Sequence, residues 1–291
     1  MNRRHFLRRT AACSVSLGGA SRLWAAEGAS YPKQLGLQLY TLRNEIKADA
    51  GAALKAVAAA GYQQGEMYGF PNCDPMIRAA REAGLALHSS HFEWDCVVNP
   101  KDAGLSDFMR ILEKARATRL EHLVIPFLAE ANRGSVAAYQ RTAANANKAA
   151  AKAREAGIQL AYHNHNFEFK PLEGGKTGFD IFVEEFSSDM KFELDLFWVK
   201  VGGQDPVALL QKLAGRVTQV HLKDLKGGMS LPNFGSVPAD AFQELGDGII
   251  PTAPVLKAAK AAGVIYCHVE QDQSPDPLSS IRQSAAYLRQ L

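Results

Sequence analysis

Val217-Thr218-Gln219-Val220-His221-Leu222-Lys223-Asp224 is a short apolar run that ends on a histidine, a lysine and an aspartate. Three more runs in the second half of the chain have the same build. They are Leu160-Ala161-Tyr162-His163-Asn164-His165-Asn166-Phe167-Glu168, Phe192-Glu193-Leu194-Asp195-Leu196 and Val264-Ile265-Tyr266-Cys267-His268-Val269-Glu270. Runs of this length, rich in β-branched and aromatic residues, read as strands. If the four are neighbouring parallel strands, their carboxyl ends bring His, Asp, His and Glu to one place. Oxygen and imidazole donors in that mix suit a hard or borderline divalent cation, with Mn²⁺ ahead of Mg²⁺, Co²⁺ or Zn²⁺.

Working outward, strand-like and helix-like segments alternate along the rest of the chain. Leu35–Tyr40, Gln64–Tyr68, Leu85–His91 and His122–Pro126 read as four earlier strands. Helical spacing follows each of them, over Ala48–Ala60, Asp74–Ala83, Leu105–Thr118 and Ser135–Ala156. Later helices are expected near Phe179–Glu185, Pro206–Leu213, Pro254–Ala262 and Pro277–Leu291. Gly61, Gly84, Gly157 and Gly263 stand where helices should stop. Eight strand-then-helix units predict a single (β/α)₈ TIM barrel of the α/β class. A doubly wound sheet would show a Gly-rich phosphate loop after its first strand, and none follows Tyr40. In a barrel, chemistry gathers where strands end in the C-terminal direction.

The N-terminus reads differently. Met1–Arg9 is basic and holds an Arg-Arg-x-Phe-Leu pattern at Arg3 and Arg4 with Arg8 and Arg9 after it; a weakly apolar stretch to Trp24 and the small residues Ala25 and Ala26 follow. This is the layout of a twin-arginine export signal over 1–25, with the barrel over 26–291 and a periplasmic or extracellular destination. Removing Arg3, Arg4, Arg8, Arg9 and Arg22 lowers the formal charge by five, from +3 to near −2. The apparent basicity therefore argues for no nucleic-acid partner. No later stretch is apolar enough for a membrane span, so no membrane partner is expected once the signal is removed. Cys73, Cys96 and Cys267 are too few and too scattered for a disulfide framework.

The ordered set Gly36-Leu37-Gln38-Leu39-Tyr40-Thr41-Leu42-Arg43, Tyr162-His163-Asn164-His165, Glu193-Leu194-Asp195, His221-Leu222-Lys223-Asp224, Gly246-Asp247-Gly248 and His268-Val269-Glu270 resembles the xylose isomerase-like barrel superfamily. More narrowly it is similar to the sugar phosphate isomerase/epimerase group, which shares its fold with AP endonuclease family 2. The resemblance implies a divalent ion held by four side chains. It places Asp195, His221 and Glu270 among them. Many relatives carry a Glu where this chain has His163. Either His163 itself ligates, or Glu168 folds back from the following loop. His165 matches the family's second catalytic histidine.

An ion in such a site would polarise a sugar carbonyl, so that a carboxylate or imidazole could move the neighbouring proton through an enediolate. His165, Glu168 and His163 are candidate bases, and Lys223 a stabiliser of developing negative charge. Gln38, Tyr40, Glu66, His91 and Trp198 are candidate substrate contacts. A hydrogen-bonded core imidazole is the plainer reading for His91 and for His268, and a loop partner the plainer one for Asp224. Three functions are therefore expected, in order. The first is a metal-dependent sugar isomerase or epimerase, the second a lyase or hydrolase cleaving 3-keto-glycosides by elimination, and the third a non-catalytic carbohydrate-binding barrel. A small-molecule sugar is the expected partner, with a homo-oligomer as a further expectation.

Overall fold

The computed structural model describes Pro32 and residues 34–291; the export signal expected over 1–25 lies outside the described residues. Seven parallel strands come first: β1 (Gly36–Gln38), β2 (Gln64–Phe70), β3 (Ala86–Phe92), β4 (His122–Ile125), β5 (Gln159–His163), β6 (Met190–Asp195) and β7 (Val217–Leu222). A two-residue antiparallel ribbon follows, β8 (Asp224–Leu225) with β9 (Phe242–Gln243), and then β10 (Tyr266–Val269). β10 pairs with both β7 and β1, so the eight long-range strands close a barrel. The single (β/α)₈ barrel is the observed architecture. The four runs that end in chemistry are adjacent, in the order β5-β6-β7-β10.

Local sequence explains the helices. Ser135 accepts the Ala138 N–H at 3.2 Å and starts the Ala-rich helix Val136–Glu155, after which Gly157 turns the chain at φ 75°. Thr177 and Asp180 cap each other at the start of Gly178–Glu185. Asp205 and Asp276 cap helices that open on Pro206 and Pro277.

Several elements depart from expectation. β1 stops at Gln38 because its side-chain oxygen accepts the Tyr40 N–H at 3.1 Å and tightens the chain into a 3₁₀ turn, Leu39–Leu42. Tyr40 therefore sits beyond the strand, exposed, instead of alongside Gln38. The next helix begins at Arg43, earlier than expected, and is kinked at Asp49. A short helix, Leu196–Val201, follows β6 directly, because Asp195 caps it through the Trp198 N–H at 3.0 Å.

Strand alternation divides the core. Leu37, Met67, Leu160, Phe192, Leu194, Val220, Cys267 and Val269 are buried between sheet and helices. The alternate residues Gln38, Glu66, Glu193, Asp195, Gln219, His221 and His268 are almost equally buried but polar. A barrel lumen is normally filled by branched apolar side chains. Here its upper half is built of charge and imidazole.

Candidate active site and metal centre

Strand register sets the site. Asp195 lies opposite His221, His221 opposite His268, and His163 opposite Glu193, so the inward residues of four strands meet at one level. Asn164 ties the ends of β5 and β6 together, accepting the Asp195 N–H at 3.1 Å and donating to the Asp195 carbonyl at 3.3 Å.

His221 is the centre. Its Nδ1 is 2.8 Å from Glu270 Oε2 and 3.9 Å from Asp195 Oδ2. Its Nε2 faces the other way, 2.6 Å from Glu66 Oε2 and 3.1 Å from Glu193 Oε1. His163 is arranged alike: Nε2 lies 3.7 Å from Asp195 Oδ2, while Nδ1 sits 3.1 Å from Glu193 Oε1. Each imidazole thus turns one nitrogen toward the mouth and gives the other to a deeper carboxylate. That is how ligating histidines are usually oriented. Glu66 is itself fixed by Gln38, which donates at 2.9 Å, and by the Ser89 hydroxyl. Glu193 Oε1 also takes His91 Nε2 at 2.9 Å, and its Oε2 has no hydrogen-bond partner.

Five carboxylates surround His221 and Lys223: Glu66 and Glu193 face the imidazole, and Asp195, Glu270 and Asp272 share the ammonium. Lys223 Nζ is 2.8 Å from Asp195 Oδ2, 2.6 Å from Glu270 Oε2 and 2.8 Å from Asp272 Oδ2. Burial lowers the Lys223 pKa, but the three carboxylates outweigh it and hold it well above the usual lysine range. Burial likewise disfavours a charged His221, yet Glu193 and Glu270 raise it well above the ordinary imidazole value. Burial and Glu270 push the Asp272 carboxyl up to about 6, with Lys223 acting against them.

His165 is different. Burial, then the His163 and Lys223 charges, hold it well below the ordinary imidazole range, so it is neutral. It stacks on Phe167 with centroids 5.3 Å apart, and its Nδ1 is buried with no hydrogen-bond partner. Glu168 does not reach the cluster. Its carboxylate accepts the Tyr162 hydroxyl and, at 2.8 Å, the His165 N–H. Burial pushes that carboxyl up to about 7 against those hydrogen bonds.

A pocket of about 340 Å³ opens above the cluster. Tyr40, His91, His163, His165, Trp198, Lys223 and Glu270 line it, whereas Gln38, Glu66 and Glu168 are fully buried behind its wall. The donor atoms of Asp195, His221 and Glu270 lie within 4.8 Å of one another, as do those of His91, His163, Glu193 and His221. Of the expected metal side chains, the structure gathers His163, Asp195, His221 and Glu270 and leaves Glu168 apart. His268 is buried, its Nδ1 3.5 Å from Glu66 Oε2 and without a hydrogen-bond partner, and His91, partly buried, gives Nε2 to Glu193 while facing the pocket. Asp224 is a loop partner: its carboxylate accepts the Gly246, Gly248 and Ile250 N–H groups at 2.9–3.0 Å.

Asp272, Tyr68 and Phe127 line the pocket without having been singled out. Asp272 follows Glu270 at the alternation spacing of two, which was a usable signal. Phe127 and Tyr68 carry no signal that separates them from core aromatics.

Residues 54–291 match the xylose isomerase-like TIM barrel family. Inosose dehydratases are similar at the sequence level. That of Klebsiella pneumoniae is 27% identical over 164 residues, 52% of this chain, so the chain spans about half the length (54%) of that relative. That of Mesomycoplasma hyopneumoniae is 23% identical over 82% of this chain and 87% of its own length. A sugar phosphate isomerase/epimerase of Parabacteroides distasonis superposes with TM-score 0.72 at 23% identity, covering 89% of this chain and 98% of that one. An L-ribulose 3-epimerase gives TM-score 0.64 at 16% identity, with 88% of this chain covered. The structural likenesses are likenesses of fold. With a closed eight-stranded barrel and a family match over most of its length, this chain belongs to the xylose isomerase-like TIM barrel family.

Proposed function

We propose that this protein is a divalent-metal-dependent enzyme that moves a proton next to the carbonyl of a sugar or related polyol, as an isomerase or epimerase. The observation that carries the reading is the excess of buried carboxylate over cation around His221, with Glu193 Oε2 left without a partner. A donor set of two carboxylates and two imidazoles fits a hard or borderline divalent ion. Asp195, His221 and Glu270 would hold it, with His163 the fourth ligand in preference to Glu168, which is engaged by Tyr162 and the His165 N–H. Such an ion polarises a carbonyl and acidifies the adjacent C–H.

The chain's own groups do the rest. Neutral His165, with Nδ1 unpartnered and its ring in the pocket wall, is placed to accept a carbon-bound proton. Lys223, which stays protonated, donates toward negative charge developing on a substrate oxygen. Glu168 holds the His165 backbone, and so the base, in position.

A second reading is elimination, in which loss of the same proton expels a neighbouring substituent. The inosose dehydratases favour it, because a dehydratase expels water. Removal of a 3-keto-glycoside substituent would use the same machinery. Export by the twin-arginine route to the periplasm or beyond remains part of the proposal, on the Arg3-Arg4-His5-Phe6-Leu7 pattern.

The test is elemental analysis of the mature protein together with NMR of a sugar and cyclitol panel in D₂O. Stoichiometric divalent metal and deuterium incorporation without bond cleavage support the isomerase or epimerase. Release of water or an aglycone moves the assignment to elimination. Full metal and full activity in both Asp195→Asn and Glu270→Gln would overturn the site.

A further inference from the structure

We propose that the pocket selects an uncharged ligand and rejects a phosphate ester, despite the fold's likeness to sugar phosphate isomerases. This rests on the reading that the pocket over His221 is the substrate site. Two aromatic walls face its mouth. On one side Tyr40 and Tyr68 meet edge to face at 5.4 Å; on the other Trp94 and Phe127 meet at 6.4 Å. Trp198 and His165, 5.3 Å apart, make the inner wall. The faces of such rings cover the C–H faces of a polyol and, being electron-rich, offer an anion no countercharge.

The charges in the pocket point the same way. Glu93, Glu270 and Asp272 line it, and Lys223 is its one ammonium or guanidinium among the described residues. Lys223 is already shared among three carboxylates within 2.8 Å. A divalent ion held by Asp195 and Glu270 would be matched by their two charges, leaving Asp272 with Lys223, and Glu93, which accepts the Asn72 amide at 2.6 Å, with no cation in the pocket lining.

The nearby arginines are committed elsewhere. Arg43 donates to the Asp272 carbonyl at 2.8 Å and the Tyr40 carbonyl at 3.2 Å, with its guanidinium over the Tyr40 ring. Arg133 lies over Phe167 at 3.7 Å and against Phe127 at 5.2 Å, and it lines a separate pocket with Lys170, Glu130 and Glu173. A phosphate in the mouth would meet carboxylates and aromatic carbon. A neutral polyol would meet hydrogen-bond partners and flat rings.

The experiment is equilibrium binding by calorimetry, using metal-loaded full-length protein. The probes are neutral hexoses, ketoses and inositols, the monophosphate ester of each, and inorganic phosphate. The tightest-binding member is expected to be neutral, with its ester weaker by about tenfold or more. Trp94→Ala should weaken the neutral ligand about three- to tenfold, and Glu93→Lys should narrow the gap between ester and parent. An ester that binds as well as its parent, protection by millimolar inorganic phosphate, or no binding of any neutral probe overturns the proposal. If neutral selection holds but no bound member exchanges carbon-bound hydrogen, the isomerase reading falls and this one stands.

Discussion

At the scale of single residues, Glu193 shows how a side chain that touches no substrate can govern a site. It is fully buried, and its Oε1 collects His91, His163 and His221 within 3.1 Å. Burial raises its pKa, but the His221 charge and the histidine hydrogen bonds hold it well below the usual carboxylate range. Glu193→Gln keeps the shape and removes the charge that orients His163 and His221. Metal affinity, read by competition with a chelator, should weaken about 10- to 100-fold with circular dichroism unchanged. Unchanged affinity would reduce Glu193 to a space-filling role. Tyr162→Phe makes a milder test of the same principle. Losing the phenol that Glu168 accepts should free the loop carrying His165, lowering turnover while metal content stays full.

Element by element, the loop from Gly246 to Ile250 is the part most sensitive to a single atom. Asp224, on β8, gathers three of its N–H groups, and the Leu225 carbonyl accepts a fourth, from Ile249, at 2.9 Å. Gly248 passes so close that a Cβ would overlap the Asp224 carboxylate and the Leu225 carbonyl oxygen. Gly248→Ala should therefore cost on the order of 2 kcal/mol of unfolding free energy in urea, whereas Gly235→Ala in the neighbouring loop, with room for a methyl group, should cost much less. Equal losses for the two would show that the Asp224 anchor is loose. The ribbon β8–β9 was not legible in the sequence, because two-residue strands have no periodicity to detect. The helix Leu196–Val201 escaped for another reason. Its cap, Asp195, carries a second role as a strand-end carboxylate, and nothing in the pattern separates the two.

For the molecule as a whole, acid should find a weak point far from the mouth. His122 opens β4, its ring 5.6 Å from Tyr266 and its Nδ1 buried without a partner. Burial pulls its pKa from the ordinary imidazole value of 6.5 down to about 4, with Glu121 and Glu193 opposing. The unfolded chain therefore takes up a proton that the native barrel resists. Stability from this residue is complete above pH 6.5 and is lost as pH falls from there toward 4. His122→Phe should escape that loss, gaining on wild type by on the order of 3 kcal/mol between pH 7 and pH 4. Urea titrations at both pH values would show it, and parallel losses in the two proteins would refute it.

Much of this architecture follows from the order of residues alone. Alternation of apolar runs with helical spacing, stopped by Gly61, Gly84, Gly157 and Gly263, is a local property, and it determined an eight-unit barrel with His163, Asp195, His221 and Glu270 at neighbouring strand ends. Tertiary structure alone decided which atoms face which. Closure through the β10–β1 pairing turned Glu66 from β2 onto His221 from β7, 155 positions away along the chain. It also set Lys223 among three carboxylates and held Glu168 back with Tyr162. Periodicity reports the side of a strand a residue occupies. Which charges meet across the lumen depends on curvature and register, which are properties of the closed sheet.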